Sequence, residues 1–93
     1  MIKIDYGSAR ACAKKLSNVA DTCRQMSNRT TKLINNISAC WQGNSAAAFM
    51  EELSKWKKEN ESIRRELIRL SSKINHATDE FAKAEEKFSM SNK

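Results

Sequence analysis

Apolar residues recur at alternating steps of three and four along two long stretches of this chain, with one interruption near the middle. The first stretch carries Leu16, Val19, Met26, Leu33 and Ile37, with Ala9, Cys12, Cys23, Thr30 and Cys40 filling the same series. The second carries Phe49, Leu53, Trp56, Ile63, Leu67, Leu70 and Ile74, and Ala46, Asn60, Ala77, Phe81, Ala84 and Phe88 keep its step. A three–four step is the seam of one helix packed along another, whereas a strand would alternate at every second residue. The pattern predicts a helix over about residues 6–40, a turn over 41–44 and a second helix over about 45–88.

Local chemistry agrees with those boundaries. Asp5 is a good N-cap for the first helix. Gly43 can take the left-handed backbone that ends a helix. Asn44 or Ser45 then caps the second helix, whose opening Ala46-Ala47-Ala48 favours helix strongly. Residues 89–93 are expected to fray. At about 1.5 Å per residue the helices would measure on the order of 50 and 65 Å. The short turn makes them antiparallel, so the expected fold is all-α: one helical-hairpin domain over residues 1–93.

One hairpin of this length leaves much apolar surface wet, because each helix buries a single stripe. Ala13, Ala20, Ile34 and Trp41 lie one step beyond the seam on the first helix, and Met50 and Ile68 do so on the second. They suit a further contact surface, so the hairpin is expected to dimerise into a four-helix bundle. Asn60 is the polar exception at a seam position, where its role would be to fix register.

Composition narrows the picture. There are no prolines and two glycines, both at points of punctuation, and charged residues make up 30% of the chain, as expected of a soluble helical protein. No apolar run approaches the ~20 residues of a membrane span, so stable membrane insertion is not expected. The opening Met-Ile-Lys-Ile-Asp has neither the apolar core nor the cleavage site of a signal peptide, and any export is expected to use another route. The net charge of +6 comes with acidic residues interleaved among the bases, as in Glu51 to Lys55, Glu61 to Arg65 and Asp79 to Lys83. Such acid-before-base pairs support exposed helix faces.

The three cysteines, Cys12, Cys23 and Cys40, lack the short spacing of zinc or redox pairs. All three fall on the first seam, where cysteine acts as a small buried hydrophobe. A disulfide across a dimer axis is the other reading. His76 is the only histidine, lies off the seam and has no fixed second group, so neither catalysis nor a cofactor is expected. Trp41 has two readings: a plug at the bundle end beside the Gly43 turn, or part of a recognition surface.

The Ala-Cys-Trp41-Gln42-Gly43-Asn-Ser-Ala-Ala-Ala-Phe49 turn region, set between two heptad helices, resembles the WXG-motif family of ESAT-like (Esx) small secreted proteins. Asp5, the chain length and the aromatic Trp56 in the second helix add to the likeness, which covers nearly the whole chain. The resemblance implies hairpins that pair head-to-tail and leave the cell folded through a type VII secretion system. It carries the secretion turn onto Trp41 and Gly43. It also implies a Tyr-x-x-x-Asp/Glu motif near the end of helix 2, for which the nearest fit is Phe81 to Glu85, an aromatic without the hydroxyl. Phe81 also suits the seam as a core residue.

The expected function is that of a non-enzymatic type VII substrate and structural partner, made in the cytoplasm and exported as a dimer to the medium or cell surface. Its expected partners are a second copy or a related WXG-type chain and the secretion membrane ATPase. A cytoplasmic adaptor for the helical N-terminal domain of a toxin is the alternative. A basic coiled-coil nucleic-acid binder, built on Arg64, Arg65, Arg69 and Lys73, is a more distant one.

Overall fold

The computed structural model describes residues 5–91. Two helices account for nearly all of them, α1 over Tyr6–Cys40 and α2 over Asn44–Ser91, packed antiparallel into a rod 76 × 16 × 15 Å in extent. No strand occurs among the described residues. Helix α2 begins at Asn44 and runs past Phe88 through Ser91, so residues 89–91 extend the helix where fraying was expected; Asn92 and Lys93 lie outside the described residues.

Asp5 caps α1: its carboxylate accepts from the Ser8 amide at 2.9 Å and from the Ser8 hydroxyl at 2.8 Å. These bonds favour the ionised form and hold the Asp5 carboxyl below its ordinary range. At the far end Trp41 leaves the helix in an extended conformation while its amide still donates to Ile37 O at 2.8 Å. Gly43 has φ +113°, and its carbonyl accepts from the Ala47 amide at 3.0 Å. Glycine is needed there, at the entry to α2, because that backbone is costly for any residue with a Cβ.

The interior of the hairpin differs from the expected seam. Ala13, Ala20, Cys23 and Ala46 are its buried apolar residues, joined by buried Ser27, Thr30, Asn60, Ser71 and Thr78. Leu16, Ile34, Ile37, Leu53, Leu67 and Ile74 are half-buried along the same line, with Met50. Ala13, Ala20, Ile34 and Met50, read from sequence as a second surface, therefore face the partner helix. Val19, Met26, Leu33, Phe49, Trp56, Ile63 and Leu70 lie outside it. The reason is size: alanine and serine let the two helices approach closely, whereas the bulky alternates would hold them apart. Ile68, also read as part of the second surface, is exposed.

Polar groups in the interior are satisfied across the seam. Asn60 Nδ2 donates to Cys23 O at 2.7 Å and to Ser27 Oγ at 2.8 Å, and Ser71 Oγ donates to Ala13 O at 2.8 Å. No buried side-chain polar atom among the described residues lacks a partner. These directional bonds fix the register that an Ala–Ser interior specifies weakly. At the open end Arg10 pairs with Asp79 at 2.7 Å. Asp79 thus bridges the helices instead of pairing with Lys83, and Glu61 pairs with Arg64 at 3.4 Å instead of Arg65. The expected Glu51–Lys55 pair is present at 3.8 Å.

Candidate apolar interface and hairpin ends

Seven bulky side chains excluded from the interior obey one rule. Val19, Met26 and Leu33 each lie three residues beyond a position that faces α2 (Leu16, Cys23, Thr30). Phe49, Trp56, Ile63 and Leu70 each lie three beyond one that faces α1 (Ala46, Leu53, Asn60, Leu67). Two right-handed helices running in opposite directions carry equal offsets to the same side of the pair. The excluded residues therefore form one continuous apolar face along the rod. Their exposure, from 38% at Trp56 to 55% at Ile63, is high for side chains of this size.

At the turn end this face finishes in an aromatic pair. The Trp41 ring lies 6.0 Å from that of Phe49, tilted by 43°, and 42% of Trp41 remains exposed. The hairpin alone therefore does not enclose the ring. Gly43, beside it, has no atom near the position a Cβ would occupy.

The cysteines divide between the two environments. Cys23 is buried in the hairpin interior as expected, but Cys12 and Cys40 are exposed, at the ends of the line that runs through Val19, Met26 and Leu33. The seam reading of all three is corrected to one: the three-residue offset that excludes Val19 also excludes Cys12 and Cys40.

The opposite end of the rod brings together residues far apart in sequence. Tyr6 Oη donates to Glu85 Oε2 at 2.6 Å across 79 positions. The bond needs the phenolic proton and raises the Tyr6 pKa above its ordinary value. Hydrogen bonding to Arg10 holds the Asp79 carboxyl below its usual range. Phe81 is 55% exposed, so in this hairpin it is not a core side chain. The sequence could not bring Tyr6 to this place, since only antiparallel closure with a defined register makes it a neighbour of Glu85.

The basic cluster expected on α2 is partly paired with acids. Arg64 and Arg69 are paired with Glu61 and Glu66, at 3.4 and 2.8 Å, and Arg65 Nε donates to the Glu61 carbonyl. The bond to Arg69 also depresses the Glu66 carboxyl. His76 is exposed, and among the described residues no group of three or more His, Cys, Asp or Glu side chains could hold a metal ion. No described helix is long and apolar enough to cross a membrane.

Comparison with known proteins returns one family. A family model, WXG100, described as proteins of 100 residues with WXG, matches residues 1–86. Neither a curated protein nor a solved structure matches the chain.

Proposed function

The chain belongs to the WXG100 family, small non-enzymatic proteins secreted by type VII systems without a signal peptide, and on that premise we propose that it is exported as a folded pair of hairpins. The observation that carries the pairing is the continuous apolar face. The hairpin exposes 7405 Å², against roughly 5500 Å² for a compact chain of its mass. Covering that face with a second hairpin converts a thin two-helix interior into the core of a four-helix bundle. The partner is a second copy or another WXG-type chain.

Two regions are proposed to be read during export by the secretion ATPase. One is the turn with Trp41 and Gly43. The other lies at the opposite end, where Phe81 and Glu85 share a helix face. Tyr6 adds to it the hydroxyl that Phe81 lacks, already bonded to Glu85. Head-to-tail pairing sets the turn of one hairpin beside this end of its partner, giving one composite surface. An adaptor would take the hydroxyl that Phe81 lacks from another protein, whereas Tyr6 sets one beside Glu85 within this chain.

Tyr6→Phe and Glu85→Gln test the reading in a host with a type VII system. Each keeps the shape of its side chain. Both proteins are expected to fold with wild-type helicity and accumulate in the cell while the parent reaches the medium. Normal secretion of both would remove this end of the rod from the signal and restore the adaptor reading.

A further inference from the structure

We propose that the occupant of the apolar face is a second copy of this chain, related by a two-fold axis crossing the rod at Met26, and that each Cys12 then lies against Cys40 of the other copy as a redox lock. The inference rests on the head-to-tail pairing proposed above and adds the partner's identity, the residue register and a modification site.

The register comes from the spacing of the face on its two helices. On α1 the line Cys12, Val19, Met26, Leu33, Cys40 is centred on Met26. On α2 the bulky residues Phe49, Trp56, Ile63 and Leu70, which the small Ala77 continues toward the open end, are centred between Glu59 and Asn60. The two centres sit at one level of the rod, because Asn60 bonds to Cys23 and Ser27 on either side of Met26. A single axis across the face at that level therefore maps both lines onto themselves. Val19 meets Leu33 of the second copy, Trp56 meets Ile63, and Phe49 meets Leu70. A face that matches itself in this way on both helices needs no different partner.

An axis along the rod is the competing arrangement, and side-chain size separates the two. The face is bulky at the turn, where the tilted rings of Trp41 and Phe49 meet, and small at the open end, at Cys12 and Ala77. The lengthwise axis would set both aromatic ends together and leave the two small ends apart. The crosswise axis sets Trp41 of each copy over the small residues around Cys12 of the other, as close packing favours. Charge acts the other way, since the crosswise axis brings Glu59 near its own copy while the lengthwise one brings it near Arg29. Exposed charges of this kind contribute little beside the packing.

Cys12 and Cys40 are free and exposed in the hairpin. A small disulfide such as oxidised glutathione supplies the oxidant. The Cys12 thiolate attacks it and displaces one glutathione thiolate, leaving a mixed disulfide. The Cys40 thiolate of the second copy then displaces the other glutathione. Two protein thiols become one disulfide, one glutathione disulfide becomes two thiols, and the axis repeats the bond at the other end.

Cys12→Ala and Cys40→Ala, each made alone, provide the test. Both positions are exposed and both variants keep the buried Cys23. With oxidised glutathione, neither variant alone should give a covalent dimer on a non-reducing gel. An equal mixture should give one, with Cys12 joined to Cys40 in its peptide map. Sedimentation of the parent in reducing buffer runs alongside. Cross-linking of either variant with itself, or a reduced dimer that never forms the Cys12–Cys40 bond, overturns the proposed register while leaving paired hairpins standing. A parent that is monomeric in reducing buffer overturns self-pairing altogether.

Discussion

Asn60 and Gly43 show how single residues hold this fold, and each makes a separate test. Asn60→Ala removes the donor to Cys23 O and Ser27 Oγ at the middle of the rod. Leaving those acceptors unsatisfied in a buried seam is expected to cost about 1–3 kcal/mol, read as a lower urea midpoint. An unchanged midpoint would mean that water replaces the amide. Gly43→Ala meets no neighbouring atom, so its cost comes from the backbone alone. A φ of +113° predicts a loss of about 1–2 kcal/mol with unchanged helicity; no loss would mean the turn relaxes to another geometry. Both positions were legible in the sequence, one as the lone polar residue in an apolar series and the other as the glycine between two helical patterns. Tyr6 was not, because its importance comes from a contact across 79 positions.

At the scale of the elements, the three–four rhythm revealed both helices and the turn but not which half of each series faced the other helix. A seam residue and its neighbour three positions on have the same periodicity, so rhythm alone cannot rank them. The small residues Ala13, Ala20 and Ser27, themselves seven apart, were the overlooked signal. Adjacent residues now separate the two faces. Ala20→Leu forces a bulky side chain between closely packed helices and is expected to destabilise the hairpin by about 1–3 kcal/mol. Val19→Ala removes a side chain from the outer face and should instead weaken association, read as a larger dissociation constant in sedimentation. If the two substitutions behaved alike, the division into faces would be wrong.

The open end of the hairpin should respond to pH in both directions. Asp79 and Asp5 have depressed pKa values, so their contributions are present above the ordinary carboxylate range and fade as pH falls through their folded values. The Tyr6 pKa is raised, so its contribution is present below the ordinary phenol value near ~10 and is lost as pH rises through the folded one. Amide protection in the first turns of α1 should therefore drop at acid pH and again at strongly alkaline pH, once measured rates are corrected for the chemical dependence of exchange on pH. Protection near Asn60 should hold longer. Uniform loss along the rod would show that the end contacts are not local.

The whole molecule is a 76 Å rod in which no large side chain is fully buried among the described residues. Its hydrophobic stabilisation is thin, since burial of alanine and cysteine removes little apolar area from water, while the largest side chains wait on the outer face. Stability should therefore depend on association, and the melting temperature should rise with protein concentration. Trp41 and Trp56 are the only tryptophans, and both lie on that face, 42% and 38% exposed. Pairing buries both indoles, so tryptophan emission should shift to the red on dilution while far-ultraviolet helicity changes less. The spectral midpoint should coincide with the dissociation constant from sedimentation. Emission that stays constant across the concentrations at which sedimentation sees dissociation would place the contact elsewhere on the rod. Trp56→Phe would then report Trp41 alone and show whether the turn end is covered along with the middle.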